Sequence, residues 1–180
     1  MKVTTTPLAD LLLITPNLYH DDRGTFYEGF HQERYAALKI PPLVQSNYSK
    51  SHHRVLRGLH YQLPQVQGKL VSVVQGEIFD VAVDIRKSSP TFGQFFSIIL
   101  NDHHHQQIYI PEGFAHGFCV LSDEAHVIYH CTALYTPSDD RGIIWNDPVL
   151  NITWPVKNPI LSQKDARYPK LSEVSQDALF

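Results

Sequence analysis

The run EIFDVAVDIR (77–86) limits what this chain can fold into more than any other stretch. Phe79, Val81, Val83 and Ile85 alternate with Asp80, Ala82 and Asp84, which is the two-residue period of a β-strand. Short apolar runs recur at 43–51, 55–62, 69–75, 94–100, 107–110 and 125–135, separated by glycine, proline or polar residues. Leu11–Ile14 adds an edge strand ending at Pro16, and DDRGTFYEGF (21–30) a turn at Arg23–Gly24 leading into an aromatic-rich strand. PEGFAHGF (111–118) reads as a glycine-punctuated turn into CVLS, and PSDDRGIIWNDP as loop and short strand. One short helix is convincing, HQERYAALK (31–39), with Phe30, Tyr35 and Leu38 on its buried side and Pro41-Pro42 as its stop. The tail after Trp154 reads as irregular with a terminal helical turn. Many short strands and almost no helix predict an all-β barrel or jelly roll with short flanking helices. No repeat or linker divides the 180 residues, so one domain is expected over 1–180.

Charge narrows the partners. A formal net charge of −3 argues against general nucleic-acid binding, while a few local cations suffice for a small anionic ligand. No apolar run reaches a membrane-spanning length, and LLLI at 11–14 lacks a basic flank and a cleavage site, so a cytoplasmic protein is expected. Cys119 and Cys131 have no C-x-x-C spacing and sit in apolar runs, as two reduced core thiols would. Among eleven histidines, His103, His104 and His105 fall in the polar run NDHHHQQ. Adjacent residues of an extended chain point in different directions, which favours a surface loop over a metal site.

The chemistry concentrates in VLRGLHYQ (55–62). Arg57 offers a guanidinium for an anionic group, and His60 an imidazole for proton transfer near neutral pH. In a regular strand these two side chains face opposite sides, so Gly58 is expected to mark a bulge or twist that brings both to one pocket.

Three segments, VLRGLHYQ with QGKLV, VAVDIRKSSPTFG, and IYIPEGFAHGF, resemble the dTDP-4-dehydrorhamnose 3,5-epimerases, and the likeness runs from DDRGTFYE to LSQKDA. The resemblance implies a cupin double-stranded β-helix, a homodimer, and epimerisation at C3 and C5 of dTDP-4-dehydro-6-deoxy-D-glucose without a cofactor. It implies no metal either, and the residues agree: His60 is followed by Tyr61 and Gln62, and one or two imidazoles with His116 cannot complete a metal site. By the resemblance His60 is the base, Asp165 holds its second nitrogen, Tyr129 is the proton donor on the opposite sugar face, and Lys69 stabilises the enolate oxygen. From its own surroundings Asp165 reads only as a solvated loop acid. Arg57 and Arg23 suit the diphosphate, Glu28, Gln45, Asn47 and Lys164 are further substrate contacts, Tyr135 stacks on thymine, and His116 lines the pocket as a donor. The Arg23–Glu28 segment is expected to reach the neighbouring subunit's site. One departure stands out: DDRG (139–142) places Arg141 just before the glycine, where related enzymes often carry an acid.

Residues alone leave alternatives open. A C3- or C5-only epimerase, or one acting on another nucleotide-linked 4-keto-6-deoxy sugar, fits the same His60, Asp165 and Tyr129. A metal-dependent cupin oxygenase and a non-catalytic sugar-binding cupin belong to other classes, and a sugar 3,4-ketoisomerase fits the LRGLHYQ and FAHGF pairing less well.

Overall fold

The computed structural model describes residues 1–180 and turns the alternating run at 77–86 into a strand, β8 in the chain order that follows. The strands are β1 (Lys2–Thr5), β2 (Leu12–Thr15), β3 (Tyr19–Asp21), β4 (Gly24–Phe26), β5 (Gln45–His52), β6 (Leu56–Gln62), β7 (Lys69–Gln75), β8 (Glu77–Asp84), β9 (Phe95–Asn101), β10 (Gln107–Ile110), β11 (Phe114–Val120), β12 (Glu124–Cys131) and β13 (Asp140–Gly142). A six-stranded sheet, β1-β2-β10-β7-β12-β5, packs on a five-stranded one, β13-β6-β11-β8-β9, and β3-β4 form a separate hairpin. This is the all-β, two-sheet architecture of a jelly roll.

Apolar content on both faces of β8 has a direct cause. Ile78 and Ala82 meet Val71, Val127 and Phe118 in the core between the sheets. Val81, Val83 and Ile85 pack on the other side against Leu150, Leu171 and Leu179 of the tail. The irregular tail therefore seals the outer face of the five-stranded sheet. A third cluster sets Tyr35 of the helix α1 (Gln32–Ala36) against Ile14, Leu70 and Tyr109, with Phe30 and Leu38 alongside as the spacing predicts.

Three expectations need correction. Leu12–Thr15 is not an edge strand, because β1 pairs on its outer side; all four residues of β1 are exposed, so no apolar alternation announces it. The helix is shorter than 31–39, spanning Gln32–Ala36, and the turn that follows it closes at Lys39 with a left-handed φ of 64°. FAHGF is not a turn but the first part of β11, all of it buried.

At Gly58 the expected irregularity is present. His60 pairs with His116 and Arg57 with Phe118, so Gly58 and Leu59 together oppose Gly117 alone. Gly58 has φ +122°, and a Cβ there would lie 2.5 Å from the Gly117 Cα and 2.7 Å from the His116 carbonyl oxygen. Only glycine fits this close approach.

Asp84 closes the far end of β8. Its buried carboxylate accepts from Arg86 Nη2 at 2.8 Å, Ser89 Oγ at 2.6 Å and Thr91 Oγ1 at 2.7 Å. Burial pushes this carboxyl up, but the donors outweigh burial and hold it at about 2. A depressed native value contributes stability that is complete above the unfolded carboxylate range and is lost as pH falls toward 2. Asp84→Ala, which strips Ser89 and Thr91 of their acceptor and leaves Arg86 only its outer partner Asp10 at 3.1 Å, is expected to cost about 2–3 kcal/mol in urea denaturation at pH 7. The gap from wild type should narrow between about pH 4 and pH 2.

Candidate active site

At one end of the sandwich the inward-facing positions turn polar. On β7, Lys69 precedes the core residues Val71 and Val73; on β12, Tyr129 and Cys131 follow Val127. Gln45 and Asn47 on β5 stand directly opposite Cys131 and Tyr129. Gln45, Asn47, Lys69 and Tyr129, with His60, Tyr135, Asp140 and Lys164, line a cavity of about 250 Å³. A second lobe of about 110 Å³ shares His60, Lys69 and Tyr129 and adds Arg57, His116 and Phe118. The bulge at Gly58 thus brings Arg57 and His60 to one cavity, with Arg57 at its exposed rim and Arg57 Nε donating to Ser51 Oγ at 3.0 Å. Depressions of about 370 Å³ beside β3-β4 and about 340 Å³ beside Arg86 are larger, but in each the arginine is already paired within the depression, Arg23 with Asp21 and Arg86 with Asp10.

His60 Nε2 meets Asp165 Oδ1 at 2.5 Å, which leaves Nδ1 free for a substrate proton. Asp165 is buried rather than solvated, because the tail folds over β6 and delivers it there. Ser162 Oγ donates to its Oδ2 at 2.8 Å, and the Gly58 backbone N–H donates as well. Burial raises the Asp165 carboxyl, but His60, Ser162 and Gly58 hold it below the ordinary range. Burial lowers the His60 imidazole, only partly offset by Asp165, so the ring is neutral and basic at pH 7.

Burial also lowers the Lys69 ammonium, and it raises the Tyr129 phenol, which keeps its proton at neutral pH. A buried pair beneath the small lobe, His116 Nε2 with Asp80 Oδ2 at 2.8 Å, orients the His116 ring. Asp80 was visible only as a polar break in the alternation of β8.

The wider lobe is pre-organised by a chain of hydrogen bonds. The Tyr135 backbone N–H donates to Gln45 Oε1 at 2.8 Å, Gln45 Nε2 to Asn47 Oδ1 at 2.9 Å, and Asn47 Nδ2 to Cys131 Sγ at 3.6 Å. The Tyr135 hydroxyl donates to Asp140 Oδ2 at 2.9 Å, and the Lys164 ammonium pairs with the same carboxylate. The cavity therefore has its acid in Asp140, one residue before Arg141, whose Nη1 turns away to the Ser138 carbonyl at 2.7 Å. Asp140 was missed because the acid was sought next to the glycine.

Two expected contacts do not join the cavity within this chain. Arg23 is exposed on the β3-β4 hairpin and pairs with Asp21, and Glu28 pairs with Arg34 at 2.7 Å. His103, His104 and His105 lie in the loop between β9 and β10, away from both lobes.

Comparison with known proteins follows the same lines. The family model described as dTDP-4-dehydrorhamnose 3,5-epimerase matches residues 5–173. A dTDP-4-dehydrorhamnose 3,5-epimerase of Shigella flexneri is 53% identical over 168 residues, covering 92% of this chain and 93% of that protein. The crystal structure of dTDP-6-deoxy-D-glucose-3,5-epimerase from Legionella pneumophila in complex with dTDP-4-keto-L-rhamnose superposes with a TM-score of 0.96 at 48% identity, covering 99% of this chain and 96% of that one. That of dTDP-4-dehydrorhamnose 3,5-epimerase from Bacillus anthracis with TDP and PPi bound gives a TM-score of 0.92 at 44% identity, covering 94% and 99%.

Proposed function

The chain belongs to the dTDP-4-dehydrorhamnose 3,5-epimerase family, and on that footing we propose that its cavity inverts C3 and C5 of dTDP-4-dehydro-6-deoxy-D-glucose to give dTDP-4-dehydro-L-rhamnose. The observation that carries this reading is the His60–Asp165 pair sharing one cavity with Tyr129 and Lys69. Both carbons flank the C4 ketone, so removal of either proton gives an enolate. His60 takes the proton through Nδ1, and Asp165 stabilises the imidazolium that forms. Lys69 neutralises charge growing on O4. Tyr129 returns a proton from the opposite face, and Arg57 beside it lowers the energy of the resulting phenolate. Exchange of both groups with solvent resets the site before the second carbon reacts.

Substrate contacts follow from the two lobes. Tyr135 offers a stacking face for thymine, Gln45, Asn47 and Lys164 polar contacts to the nucleotide, and His116 a donor toward the sugar. Arg57 at the rim supplies charge to the diphosphate. The protein acts as a homodimer in which each β3-β4 hairpin, with Arg23 and Glu28, reaches the partner's cavity. Support comes from the neighbouring, exposed rings of Tyr19 and Phe26, tilted at 39° to one another, the latter 72% exposed. Phe26→Asp is expected to yield a monomer by light scattering and to raise KM at least about tenfold.

No helix is long and apolar enough to cross a membrane, and both thiols are free and buried, which suits the cytoplasm. The test of function is incubation with dTDP-4-dehydro-6-deoxy-D-glucose plus a reductase that accepts only the L-lyxo product. NADPH consumption that depends on this protein supports the reading; none contradicts it. Asp165→Asn removes the charge that raises the His60 pKa, so the acid limb of the pH–rate profile should move to lower pH. In the same profile, kcat should fall by roughly 10–100-fold.

A further inference from the structure

We propose that Tyr168 is a positioning residue of the epimerase site, whose ring wedges the His60 imidazole against Asp165 and seats the Lys164 ammonium. The proposal rests on the functional reading above and adds a residue outside the cavity wall. Tyr168 follows the 3-10 turn Asp165–Arg167, and in such a turn residues three apart lie on the same side. One turn therefore presents Asp165 and Tyr168 together, with Lys164 at its N-terminal edge. The Tyr168 ring meets His60 edge-to-face, with centroids 5.7 Å apart and planes at 67°. The Lys164 ammonium sits over the Tyr168 ring, 5.8 Å from its centroid.

The seat for this ring is built into the opposite strand. Gly142 of β13 pairs with His60, and a Cβ on Gly142 would lie 2.5 Å from Tyr168 Cε2 and Cζ. The Tyr168 hydroxyl is buried and makes no well-aligned hydrogen bond, the Lys164 ammonium being its polar neighbour, and burial outweighs that ammonium and pushes the phenol up to about 12. It neither donates nor accepts a proton in the reaction; its contribution is the ring. That ring keeps water from the back of His60 and joins the proton-transfer end of the cavity to the Lys164–Asp140 end. The groups that face His60 from the surrounding elements are Asp165, Lys69, Asp140, His116, Tyr129 and Arg57. All of these remain when Tyr168 is changed.

Full-length Tyr168→Phe, Tyr168→Leu and Tyr168→Ala separate ring from hydroxyl. Tyr168→Phe should keep kcat, KM and the acid limb of the pH profile within about twofold of wild type. Tyr168→Ala admits water, so the His60 titration followed by NMR in the free protein should move up by roughly half a unit or more. Its kcat should fall at least about tenfold and its KM rise as Lys164 loosens. Tyr168→Leu, which preserves packing if the alanine variant unfolds, should move each quantity in the same direction. An unchanged His60 titration and kcat in folded Leu or Ala variants would reduce Tyr168 to packing and overturn the proposal. Damage by Tyr168→Phe equal to that by Tyr168→Ala would overturn it too, by assigning the work to the hydroxyl. If wild type fails to epimerise, the functional reading falls, while the His60 titration still reports whether the ring positions the imidazole.

Discussion

Replacement of His60 by Asn is expected to cut kcat by a factor of about 10³ while leaving KM and the circular dichroism spectrum close to wild type. Asparagine fills similar space and keeps a hydrogen bond to Asp165, but it cannot hold a proton drawn from carbon. The loss should appear for exchange at C3 and C5 alike, because one base serves both. The wild-type pH profile carries a second signature. Burial holds the His60 imidazole below its ordinary value, so activity should persist into mildly acidic solution before the base protonates and the rate falls. In His60→Asn that acid limb should be absent from whatever activity remains.

Lys69→Met is expected to lower kcat by about 10²–10³, with KM changed far less. Lys69 lines both lobes of the cavity together with His60 and Tyr129. Methionine keeps most of the stem and its packing but removes the charge that meets the enolate oxygen. A ground-state ketone needs that charge little and an enolate needs it greatly, so the effect belongs to the transition state. Burial lowers the ammonium, while Asp140 and Asp80 work to keep it charged. Single-turnover kinetics should therefore show slow chemistry after normal binding. An equal loss in binding would mean that Lys69 serves as a substrate anchor instead.

Where local pattern and tertiary role coincide, the sequence is easily read. β7 and β10 run over the residues that their apolar patterns mark, since both lie in sheet interiors where one register buries the side chains. β1 and β3 are wholly exposed, so no apolar alternation marks them, while β4, exposed as well, is marked only by the aromatic residues that follow the turn at Arg23–Gly24. His60, Lys69 and Tyr129 were accessible because they lie on strands bearing recognisable motifs. Asp165 and Tyr168 stand at a 3-10 turn and Asp140 opens the three-residue strand β13, and the surroundings of all three come from distant strands. A carboxylate such as Asp165 looks solvated until the tail is laid across β6, and Tyr168 acquires meaning only from the absent side chain of Gly142. Arg57 is an intermediate case. Its role beside His60 contradicted ordinary strand periodicity, and Gly58 was the visible clue to the resolution.

The most direct test of the account is the reaction of this protein with dTDP-4-dehydro-6-deoxy-D-glucose in heavy water, read by NMR of the reduced product. A base and an acid on opposite faces, both exchanging with solvent, should place deuterium at C3 and at C5, with both centres inverted. Label and inversion at one carbon alone would contradict the two-carbon reading, and no label at either would contradict proton transfer at this site.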